Sequence, residues 1–173
     1  MDTLLNRREL LQLVTAATFA YPQLAAAEPN APLFFSKDEF ALLDALTELI
    51  IPADEHSPGA RAAGVAVYID RTVAEAFLPE EKTSWTKGLA LMNKRARDSY
   101  RLEFLNATPD QQRHVLEVMA ENEFHAATDE QRFFAQLKET TAFAYYSSAI
   151  GIHREIDYKG NVILEQFQGY DAT

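Results

Sequence analysis

The sequence predicts an all-α chain: an irregular helical domain of about five helices with an extended, non-helical C-terminal arm, preceded by a cleavable signal peptide. Three observations carry this. Apolar residues recur at helical spacing in blocks separated by prolines and N-cap residues. No pair of alternating apolar segments offers a strand partner. And 173 residues with 47% hydrophobic and 11% aromatic side chains are enough for one packed core, not two.

Residues 1–27 read as a targeting segment. Arg7 and Arg8 precede a short run of Leu, Val and Ala that ends in Ala25-Ala26-Ala27, a small-residue cleavage site. The run is too short for a membrane span of about 20 residues. The adjacent arginines, and the moderate hydrophobicity left by Gln12, Thr15 and Thr18, point to the twin-arginine route. Cleavage after Ala27 removes Asp2, Arg7, Arg8 and Glu9, whose charges cancel, so residues 28–173 keep the whole net charge of -10.

Residues 28–35 form a Pro-containing linker, and residues 36–173 the domain. Ser36 with Glu39 is a capping box that opens a first helix, striped by Phe40, Leu43, Leu46 and Ile50 and ended by Pro52. Residues 52–59 are a turn-rich loop holding Asp54, Glu55, His56 and Ser57. A second helix starts at about residue 60 or 64 and runs to 77, with Val65, Tyr68, Ile69, Thr72, Val73 and Ala76 on its face. Beyond Pro79 a long charged helix is expected over residues 80–105, carrying Trp85, Leu89, Met92, Ala96 and Tyr100. Thr108-Pro109 begins another, with Val115, Leu116 and Met119 as core candidates. Thr128 with Gln131 opens the last long helix, which runs to about residue 150 and is lined by Phe133, Phe134, Leu137, Thr141, Ala144, Tyr145 and Ser148. Residues 152–173 have no sustained periodicity and read as the arm.

Composition excludes several functions. A net charge of -10 repels nucleic acid phosphates and anionic membrane surfaces. With no cysteine the chain has no thiolate catalysis, iron–sulfur cluster, thiolate-linked haem or disulfide. No Gly-rich nucleotide cradle and no nucleophile elbow occurs. His114 and Glu117 stand in the reverse of a Glu-x-x-His order, and Glu121 and His125 are four apart, so neither builds a di-iron site. Asp54 and His56 are the remaining candidates for acid–base chemistry, although polar residues between prolines are what any exposed loop carries. No catalytic, cofactor-binding or metal residue is assigned on this chain. The doublets Phe133-Phe134 and Tyr145-Tyr146 are different. Neighbouring helical positions point about 100° apart, so one member of each pair is expected to face a partner or lie under the arm.

These pieces resemble the gluconate 2-dehydrogenase subunit 3 family. The resemblance rests on Arg7-Arg8, on the LLDALTELIIP segment over residues 42–52, and above all on Asp54 with the SPGARAAGV run over residues 57–65, followed by Tyr68-Ile69-Asp70. It continues in Phe133-Phe134, Tyr145-Tyr146-Ser147-Ser148, Gly151, Tyr158-Lys159-Gly160-Asn161 and Phe167-Gln168-Gly169-Tyr170. It implies a non-catalytic small subunit of an exported dehydrogenase that oxidises a sugar or polyol hydroxyl. Its catalytic partner would be a large FAD-binding subunit of the glucose–methanol–choline type, and some such complexes add a multihaem cytochrome c. The small subunit would support folding and twin-arginine export of the large one in a chaperone-like way. The implied location is the periplasm, with any attachment to the inner membrane made through a partner. Phe133, Phe134, Tyr145, Tyr146, Tyr158, Phe167 and Tyr170 are the expected partner interface. The residues alone leave two other readings open: a self-sufficient periplasmic enzyme using the Asp54/His56 loop, and a solitary binding or scaffold protein.

Overall fold

A computed structural model describes residues 31–156. The expected signal peptide with Arg7 and Arg8, and the arm residues Tyr158, Phe167 and Tyr170, lie outside them. Among the described residues the fold is all-α, without a strand.

Helix α1 (Lys37–Ile50) starts at the expected capping box: Ser36 Oγ accepts from the Glu39 N–H, and the Glu39 carboxylate accepts from the Ser36 N–H at 2.9 Å. A short turn of helix, α2 (Gly59–Ala62), leads through Gly64 in the left-handed region into α3 (Val65–Glu75). The expected single second helix is therefore split. Pro79 at the first turn opens α4 (Pro79–Tyr100).

Helix α4 stops five residues short of the expected end at 105. Arg101 takes φ 61°, and Phe104–Asn106 form a 3₁₀ turn that drives Phe104 into the core. Asn93 Oδ1 accepts from the Phe104 N–H at 3.1 Å and the Gln112 side chain donates to its carbonyl at 2.9 Å, so the turn's backbone is satisfied from both flanking helices. Fully burying that ring contributes on the order of 2–3 kcal/mol, more than the helical turn it displaces.

Helix α5 (Pro109–Ala120) is capped by Thr108 and Gln111, and α6 (Asp129–Tyr146) by Thr128 and Gln131. Helix α6 ends four residues before its expected end. Ser147 and Ser148 interrupt it, their hydroxyls donating to the Phe143 and Tyr145 carbonyls at 2.6 Å each. Gly151–Glu155 then form a π-helical turn closed by Ile156 N–H to the Gly151 carbonyl, where the arm was expected to begin.

Helix α6 is the hub, packing on α1, α3, α4 and α5. Helices α4 and α6 run antiparallel, since Ser84 bonds Gln136 near one end while Arg95 pairs with Glu130 near the other. Between these contacts Trp85 meets Phe133 edge to face at 5.8 Å. The core continues through Leu42, Leu43 and Leu46 of α1, Ile69 and Val73 of α3, and Leu89, Met92 and Ala96 of α4.

Candidate functional site

The loop between α1 and α3 holds the sequence's most distinctive segment, and its polar residues are spent on its own shape. Asp54 Oδ1 accepts from the His56 N–H at 2.8 Å and the Ser57 N–H at 2.7 Å, while the Asp54 N–H donates to the Ser57 carbonyl at 2.8 Å. The N–H groups of Ser57 and then His56 favour the charged carboxylate and hold its pKa below the ordinary 3.8. Asp54 is thus a loop brace. The His56 side chain points to solvent beside it.

The far side of the loop is tied to the helices. Ser57 Oγ and Tyr145 Oη share a buried hydrogen bond of 2.6 Å, joining the loop to α6 across 88 positions of sequence. Glu48 on α1 accepts from the Ala53 N–H at 3.2 Å and the Arg61 N–H at 2.8 Å, and Arg61 Nε donates to Asp44 at 2.7 Å. The SPGAR run, which includes the start of α2, therefore acts as a clip between α1 and α6.

A second constellation was not foreseen. Asp70 is 97% buried on α3, and its carboxylate accepts three backbone N–H groups: Leu33 at 2.6 Å, and Phe34 and Phe35 at 3.0 Å each. A buried carboxylate needs such partners, and these are uncharged dipoles supplied by the segment before α1. One signal was available. Asp70 shares the apolar face of α3 with Ala66, Ile69 and Val73, a register at which a carboxylate has to be compensated.

The interface candidates are divided by burial. Phe133 and Phe134 both lie in the core at 4% and 7% exposure, because α6 is covered on several sides and has room for two adjacent rings. Of the two places expected for one of these rings, outward or under the arm, the outward one is corrected, and the arm lies outside the described residues. Of the tyrosines, Tyr145 is fully buried and Tyr146 is 46% exposed. Among the exposed aromatics that were missed, Phe143 on α6 and Tyr68 on α3, expected on the buried face, have ring centroids 6.3 Å apart. The i, i+3 spacing of Phe143 and Tyr146 could have disclosed an outer stripe on α6.

Among the described residues no three His, Asp or Glu side chains are grouped to hold a metal ion, and no helix is long and apolar enough to cross a membrane. A groove of about 450 Å³ lies between α1, α4 and the Phe104 turn. Its rim carries Asp38, Glu39 and Glu103, the last paired with Arg97, and none of its described lining residues is a cation that could meet the diphosphate of a dinucleotide.

A family model described as gluconate 2-dehydrogenase subunit 3 matches residues 37–162. No curated protein and no solved structure matches the chain.

Proposed function

The chain belongs to the gluconate 2-dehydrogenase subunit 3 family, and from that premise we propose that it is the non-catalytic small subunit of an exported, flavin-dependent dehydrogenase acting on a sugar or polyol hydroxyl. Membership itself implies a subunit of a multi-subunit gluconate dehydrogenase complex. The finer reading is ours: the FAD belongs to a large partner of the glucose–methanol–choline type, this chain stabilises that partner, and the Arg7-Arg8 leader carries both to the periplasm.

The family match is the observation that carries the proposal. Three features of the chain support it. The loop carboxylate that could have served as a base is committed to two backbone N–H groups. The groove beside the Phe104 turn has an acidic rim, ill-matched to the diphosphate of a dinucleotide. And Tyr68, Phe143 and Tyr146 leave an aromatic surface on α3 and α6. Aromatic anchors are typical interface hot spots, each worth on the order of 2 kcal/mol or more.

Truncation tests the interface. A chain ending at Gly151 lacks Tyr158, Phe167 and Tyr170, which we place with Tyr146 on the partner surface. It should keep its helical circular dichroism and fail to retain the flavoprotein in a pull-down. Full retention overturns the assignment, and loss of helicity makes the missing segment part of the core instead.

A further inference from the structure

We propose that residues 33–35 are a latch that completes the fold at the point where the leader joins it, so that the leader is presented for export only on a latched domain. The inference rests on the leader proposed above; the contacts that form the latch lie among the described residues.

Two contacts hold the segment. The Asp70 carboxylate takes all three of its backbone N–H groups. Phe35 is 96% buried and meets Trp85 edge to face at 6.4 Å, which extends the Trp85–Phe133 contact from α4 and α6 to the segment. Phe34 packs against Phe35 at 5.0 Å, with the Lys82 ammonium 6.0 Å from its ring centre. Three residues thus join α3 to α4 and, through Trp85, reach Phe133 of α6.

The two halves depend on each other. Without the segment, Asp70 loses its three backbone donors and the face of Trp85 toward Phe35 is uncovered. Without Asp70, three consecutive N–H groups lose their acceptor. The two sides close together, as a cooperative unit would. Residues 33–35 also precede the family-matched span, which starts at residue 37, while Asp70 lies within it. The contact therefore ties the shared domain to the stretch of chain next to the leader. Only five residues, 28–32, separate the expected cleavage site from the first clamped N–H. An unlatched domain exposes Phe34, Phe35 and Trp85, a contiguous apolar surface of the kind that invites non-specific association.

Two variants of the full chain test this from opposite sides. Asp70→Asn keeps the side-chain volume but removes the charge and one acceptor oxygen. Leu33→Pro removes one N–H at a residue whose side chain is 65% exposed, leaving α3 untouched. With circular dichroism at the wild-type level, either variant should raise the rate of proteolytic cleavage at residues 32–36 by about tenfold or more. Either should also lower the exported fraction several-fold in cells. Unchanged cleavage in a helical Leu33→Pro chain overturns the latch even if Asp70→Asn does not fold. Increased cleavage with wild-type export overturns the link to the leader. The paired control is Arg7→Lys with Arg8→Lys: if that chain is still exported, the leader reading itself has failed, whatever the latch does.

Discussion

At Gly59 the backbone takes φ 82°, and a Cβ there would lie 2.7 Å from the Ala53 nitrogen and 2.7 Å from Glu48 Oε1. Glu48 could yield, but the backbone nitrogen cannot without opening the loop. Gly59→Ala should therefore cost about 2–4 kcal/mol, combining the left-handed penalty with the clash, read as a lower urea midpoint. A midpoint equal to wild type would mean that the loop is not a clip. Asp54 permits a sharper separation of structure from catalysis. Its folded pKa is lowered, so its contribution to stability is present above 3.8 and lost as pH falls through the folded value. The difference in urea midpoint between wild type and Asp54→Asn should hold from neutral pH to about 5 and shrink below 3.8. In the assembled enzyme, Asp54→Asn and His56→Ala should each change turnover by less than about tenfold, because losing a true general base costs about 10²–10⁴-fold. A larger fall with flavin content intact would return the loop to catalysis.

Helix boundaries divide into those fixed locally and those fixed by the core. Ser36 with Glu39 and Thr128 with Gln131 were legible because the capping partners stand three residues apart, and both boxes form as expected. The end of α4 was not legible. Arg101 adopts a left-handed conformation with no glycine to announce it, and what stabilises the break is Phe104 reaching the core. Asp70 was missed for a similar reason, its donors standing 35–37 residues away. The outward turn expected within Phe133-Phe134 failed because periodicity counts one face, whereas α6 is covered by four helices. The packing of α4 on α6 itself depends on Gly88, where a Cβ would fall 1.9 Å from the Phe133 ring. Gly88→Ala should force the two helices apart and cost about 1–3 kcal/mol, with loss of near-ultraviolet signal from Trp85. Wild-type stability in that variant would show that Phe133 can move aside freely.

For the whole molecule, the all-α class and the order of helices followed from hydrophobic spacing and proline punctuation. The functional surface followed far less, because an interface is defined by what covers it and this chain is described alone. What is legible is an acidic body, the lack of cysteine, and polar groups of the most distinctive loop turned to structural use. The account's central claim is that the chain acts only as part of a flavin-dependent complex. Purification of the tagged full chain from the periplasm, followed by an absorption spectrum, tests it most directly. The account predicts that a larger flavoprotein co-purifies in a fixed ratio, with flavin absorbance and sugar or polyol dehydrogenase activity. Recovery of the chain alone, colourless, from cells that retain that activity in a separate fraction would contradict it.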